Sequence, residues 1–200
     1  MEELKLQKAD GMLSPMAQRL FQVFALCESK ICQATLLHLL KACGWGEAAT
    51  KSGSLTQALL KPDLKDLVDR GFLESRTASM TLVGIAKSFQ DLAVQQAVQN
   101  GNFPLIVAAI EELDSELARD LTQSRDSDPA ARKARRTARI AFHRGDVAAF
   151  TAAQQELANA KPEQRNLGLE GWSSPFQAIA DNGLRLWEAR TPQIQWLCHL

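Results

Sequence analysis

Residues 84–100, GIAKSFQDLAVQQAVQN, decide how the chain divides, because the sequence on either side reads as two different units sharing this one helix. Ile85, Phe89, Leu92, Val94 and Val98 recur near helical spacing, with Lys87, Gln90, Asp91, Gln95 and Gln96 between them. A helix with more than one buried face is the expectation. Upstream lies a pattern of short helices and a hairpin; downstream lies a repeat.

At 200 residues and 46% hydrophobic, the chain can bury one generous core or two small ones. Lys+Arg and Asp+Glu both number 23, so no global field draws the protein to nucleic acid or membrane. Electrostatic binding must come from a local patch. No segment has signal-peptide form or the roughly 20 apolar residues that span a bilayer, so a cytoplasmic protein without membrane contact is expected. Cys27, Cys32, Cys43 and Cys198 sit in apolar helical contexts and read as reduced, buried thiols. A zinc site of Cys27, Cys32, His38 and Cys43 lacks a C-x-x-C knuckle, and neither metal nor cofactor is expected.

Residues 1–13 carry mixed charge without periodicity and read as a flexible tail. Ser14-Pro15 supplies an N-cap and a first-turn proline for a helix whose face is Leu20, Phe21, Phe24 and Ala25. Residues 31–43 read as a second helix with Leu36, Leu37, Leu39 and Leu40 inward, stopping at Gly44. A polar, glycine-bearing loop over 45–54 precedes a third helix over 55–70, in which Pro62 is a break or kink. Gly71 closes that helix, and 72–76 with 80–83 form a small hairpin around Thr77-Ala78-Ser79.

That order, carried by Leu67-Val68, Arg70-Gly71-Phe72-Leu73 and Leu82-Val83-Gly84, resembles the winged-helix superfamily over residues 14–99. The resemblance implies a third helix that enters the major groove and a wing that touches phosphate, which nominates Lys61, Lys65 and Arg76 as contacts. The charges oppose this, since Lys61, Lys65 and Arg70 are offset by Asp63, Asp66 and Asp69. For this unit alone, protein contact or structural support ranks ahead of DNA reading.

Residues 97–113, AVQNGNFPLIVAAIEEL, align with 141–157, AFHRGDVAAFTAAQQEL, at Ala97/Ala141, Gly101/Gly145, Ala108/Ala152, Ala109/Ala153, Glu112/Glu156 and Leu113/Leu157. Each copy is a helix end, a Gly-Asn or Gly-Asp turn whose side chain can cap the next helix, and an Ala-rich helix. The four alanines read as close helix packing. With Pro162 after the second copy, this resembles tetratricopeptide-like helical hairpins, although the 44-residue offset and the missing Trp and Tyr depart from that family. The fold expected is therefore mainly α: a winged-helix domain with a small β-hairpin, followed by stacked helical hairpins over 84–200. A connector over 161–174 and a further helix with Phe176, Ile179, Leu184 and Trp187 suggest a third hairpin. Trp187, Trp196 and Leu200 leave an apolar end that looks cut from something longer, with self-association or contact with missing C-terminal domains as the consequence.

Residues 130–144 differ from the rest, because Arg132, Lys133, Arg135, Arg136, Arg139 and Arg144 give six positive charges with no acid among them. Arg132, Arg135, Arg136 and Arg139 fall at i, i+3, i+4 and i+7, one stripe suited to a row of phosphates, while Ala134, Ala138, Ala141 and Phe142 face the hairpin partner. The competing reading is a solvated face paired with Asp126, Asp128, Asp146, Glu111, Glu112 or Glu116. His38, His143 and His199 lie far apart with no nucleophile-base pairing, and no P-loop or G-x-S-x-G occurs, so no enzyme is expected. Two functions remain. One is a non-catalytic accessory module of a larger DNA-handling protein, similar to the N-terminal regions of helicase-like proteins, with DNA a better partner than RNA. The other is a protein-interaction adaptor.

Overall fold

The computed structural model describes residues 13–46, 54–75, 80–123 and 129–159. The first helix, α1 (Pro15–Cys27), starts as its sequence implies: Ser14 is extended, its Oγ accepts from the Ala17 amide at 3.0 Å, and Pro15 occupies the first turn. From Leu20 to Cys27 every residue of α1 is buried, polar Gln22 included, so its last two turns have no solvent face. That all-round burial, more than the segment at 84–100, organises the first unit.

Glu28 takes a left-handed backbone with φ 55° and ends α1. The chain then runs extended through β1 (Ile31–Cys32) before α2 (Gln33–Ala42), so the helix expected over 31–43 begins two residues later. Cys32 is its N-cap, with Sγ accepting from the Thr35 amide at 3.5 Å. The third helix, α3 (Gln57–Asp69), continues through Pro62, and the strands β2 (Leu73–Ser75) and β3 (Leu82–Ile85) follow. The sheet is antiparallel in the order β1-β3-β2, with Ile31 opposite Val83 and Glu74 opposite Gly84. Gly84 and Ile85 thus belong to a central strand. Helix α4 (Lys87–Gln99) starts after them and is followed by α5 (Phe103–Glu112) and α6 (Asp114–Gln123).

Helix α4 packs on both α1 and α5, and α3 also lies against α1. Phe72 joins the layers: its ring centroid is 5.5 Å from Phe21 and 5.0 Å from Phe89, the second edge-on. Two buried amides fix the register. Gln90 donates to the Ala25 carbonyl at 3.0 Å, one of the α1 carbonyls left without a helical partner, and Asn102 donates to Gln22 Oε1 at 2.8 Å.

The chain forms two compact units, Met1–Asp120 and Leu121–Leu200. The described part of the second is a hairpin of α7 (Pro129–Arg144) and α8 (Val147–Asn159) around Ala138, Ala141, Phe142, Phe150 and Ala153. Among the described residues the protein is mainly helical with one small sheet, and no helix is long and apolar enough to cross a membrane. The tail at 1–12, the turn at 77–79, the connector at 161–174, the apolar residues from Phe176 to Leu200 and Cys198 lie outside the described residues.

The aligned segments are built alike bond for bond. Gly101 donates to Val98 O and Asn102 to Ala97 O; 44 residues on, Gly145 donates to Phe142 O and Asp146 to Ala141 O. Both glycines are left-handed, at φ 70° and 72°, which lets two donors fold back onto the last turn. Ile106 and Phe150 then bond back to residues 102 and 146 and are both fully buried. Two details differ from the sequence reading. Ala109 and Ala153 are buried as expected, but Ala108 and Ala152 face solvent, one residue off the packed stripe. Asp146 caps α8 through the Ala149 amide at 3.0 Å, whereas the Asn102 side chain turns away to Gln22.

Candidate nucleic-acid interface

Helix α7 carries six cations and no acid. Its alanines set its orientation: Ala131, Ala134, Ala138, Ala141 and Phe142 are buried, and the last three pack with Phe150 and Ala153 of α8. That half of the sequence reading holds. The other half requires correction, because Arg136 and Arg139, expected on an exposed stripe, are 4% and 3% exposed. Arg132 and Arg135 are half-buried, so the four arginines do not form one solvent-facing row.

The physical reason is a second buried face. At 100° per residue, Ile140 lies on the side of α7 roughly opposite Ala138, and it too is buried. Arg136 lies next to Ile140 on the wheel and Arg139 next to Arg136, and all three are buried. Ile140 was the signal in the sequence, an apolar residue on the face reserved for solvent. The exposed ridge is instead Ala130, Lys133 and Arg144, with Thr137 half-buried between them. Lys133 and Arg144 are eleven residues apart, close to three full turns, so they share this ridge about 16 Å from one another. Arg144 and His143 sit in the last turn, where the helix dipole favours cations.

On α3, Leu60, Leu64 and Leu67 are buried while Lys61 and Lys65 are exposed one turn apart. Two of the acids counted against them are engaged. Asp63 Oδ1 accepts from Ser14 Oγ at 2.6 Å, and Asp66 Oδ1 accepts from Arg70 Nε at 2.8 Å. Asp69 remains exposed beside them. Arg76 lies outside the described residues.

The sulfur and imidazole groups are dispersed. Cys27 is buried in α1, Cys32 caps α2, and His38 is exposed with Nδ1 2.8 Å from Glu116 Oε2. Cys43 is buried near the Leu105 carbonyl, and burial pushes its thiol up to about 12. Among the described residues no group of three or more His, Cys, Asp or Glu could hold a metal ion. No protein-family model, curated protein or solved structure matches the chain.

Proposed function

We infer that the protein is a non-catalytic accessory module of a DNA-handling system, binding nucleic-acid phosphate through α7. The observation that carries this reading is a helix with six cations and no acid, whose Lys133 and Arg144 share an exposed ridge. Like charges on one surface release condensed counterions from a polyanion, giving affinity without base information. Buried Arg136 and Arg139 add to the local positive potential but contact no phosphate. For the first unit, the helix, strand, helix, helix, hairpin order and the β1-β3-β2 sheet support a winged-helix reading.

The two ridge cations imply a slope of log affinity against log salt of about −1.8 on duplex DNA. Fluorescence anisotropy of the full chain with a labelled duplex, a single strand and a duplex RNA across a salt series tests this. The Lys133→Glu, Arg144→Glu variant is expected to lose most of the binding and most of the slope. No binding at low salt, or an unchanged slope in that variant, ends the nucleic-acid reading. The adaptor reading then takes its place.

A further inference from the structure

The exposed side of α3 has a composition that phosphate binding by α7 does not use. On the helical wheel Ala58 and Pro62 share the centre of this face, Leu59 lies on one flank, and Lys61 and Lys65 lie on the other, one turn apart. All five are exposed, and Leu59, at 46%, is one of the two large apolar side chains to remain so among the described residues. Asp63 points to another side of the helix and accepts from Ser14, Asp66 pairs with Arg70, Asp69 stays exposed one turn after Lys65, and no acid among the described residues pairs with Lys61 or Lys65. The result is a small apolar strip edged by two available ammonium groups.

We propose that this face of α3 docks an acidic amphipathic helix of a protein partner, whose apolar side rests on Ala58, Leu59 and Pro62 and whose carboxylates meet Lys61 and Lys65. The pairing follows from complementarity of charge around an apolar centre. Carboxylates one turn apart on the partner match the one-turn spacing of the lysines. A duplex fits less well. Ala58, Leu59 and Pro62 offer no donor or acceptor to a base edge. The inference stands apart from the α7 reading, since the two faces are on different helices and fail separately.

The test uses the full chain and a fluorescein-labelled peptide of about 18 residues, long enough to be helical, with Leu on one face and Glu on the other. An otherwise identical peptide with Lys in place of Glu is the control. The Glu peptide is expected to bind and the Lys peptide to bind far more weakly. Lys61→Glu with Lys65→Glu is expected to weaken the Glu peptide by about tenfold for the two exposed pairs. Leu59→Ala should weaken it too, and Lys133→Glu with Arg144→Glu should leave it unchanged. Circular dichroism of each variant checks that the fold is retained. The proposal is overturned if the Glu peptide does not bind, if it binds no better than the Lys peptide, or if neither α3 variant changes its affinity. It is also overturned if the lysine reversals abolish duplex binding and spare the peptide, which would make α3 a nucleic-acid surface.

Discussion

Reversing the charge at Arg136 separates the structural cations of α7 from the binding ones. At 4% exposure its guanidinium is out of water, so Arg136→Glu removes a buried cation with the contacts it makes and leaves a buried carboxylate in a field of five remaining positive side chains. Attraction within that field offsets part of the desolvation, but the shorter side chain cannot reproduce the contacts. Breaking a buried charged contact typically destabilises by about 3–5 kcal/mol. Lys133→Glu, on the exposed ridge, should stay within about 0.5 kcal/mol. For a unit of this size, 3 kcal/mol corresponds to a fall in Tm on the order of 10 °C or more. Thermal unfolding of both variants by circular dichroism, with hydrogen exchange on α7 amides to localise the loss, makes the comparison. An Arg136→Glu protein as stable as wild type would refute the reasoning and return Arg136 to the solvent-facing row.

Gly101→Ala and Gly145→Ala should each destabilise by about 1–2 kcal/mol, because nothing lies within 4 Å of either added Cβ and only the left-handed backbone resists it; urea unfolding that shows one site neutral would break the equivalence of the two turns. Ser29 Oγ is buried with no hydrogen-bond partner among the described residues, so Ser29→Ala should be neutral or raise stability by up to about 1 kcal/mol, read in the same assay. Gln90→Leu should cost about 1–3 kcal/mol by stranding the Ala25 carbonyl, and a smaller loss would mean water reaches that helix end. The Cys43 thiol is held above its ordinary 9.0, so the unfolded chain loses this proton first; stability from this group is present below pH 9 and declines between about pH 9 and 12, a limb that Cys43→Ala should flatten in pH-dependent unfolding.

Much of the first unit was legible because its signals are local. Ser14-Pro15 announced α1, Gly71 closed α3, and the offset of 44 residues located two turns that share their hydrogen bonds. What escaped depends on partners distant in sequence. Ile31 and Cys32 look like the start of a helix until Val83 and Leu82 arrive beside them in the sheet. Asn102 looks like a cap, yet Gln22, 80 residues earlier, takes its side chain. The same holds for the candidate interface: the periodicity of α7 correctly identified the alanine face, but a single face was assumed. Arg136 and Arg139 were placed by charge and spacing, and neither reports which further side of a helix is covered. On α3 the charge balance was legible, but not that Asp66 pairs with Arg70 and Asp63 accepts from Ser14.

The absence of any solvent side on the last two turns of α1 bears on how the protein is made. The helix leaves the ribosome before the partners that cover it, since α4 and α5 end only at Glu112, roughly 85 residues after Cys27. At 5–20 residues per second, the run from Leu20 to Cys27, apolar but for Gln22, waits about 4–17 s before it can be covered. Its polar exceptions face the same delay, because Gln22 has no Asn102 and Ala25 no Gln90 until then. The nascent chain therefore carries a sticky segment until α5 is made, and a product that terminates before Asn102 retains it permanently. Such products are natural clients for a chaperone that recognises short apolar helices, and ribosome-associated crosslinking from position 24 should report that contact fading once α5 has cleared the exit tunnel.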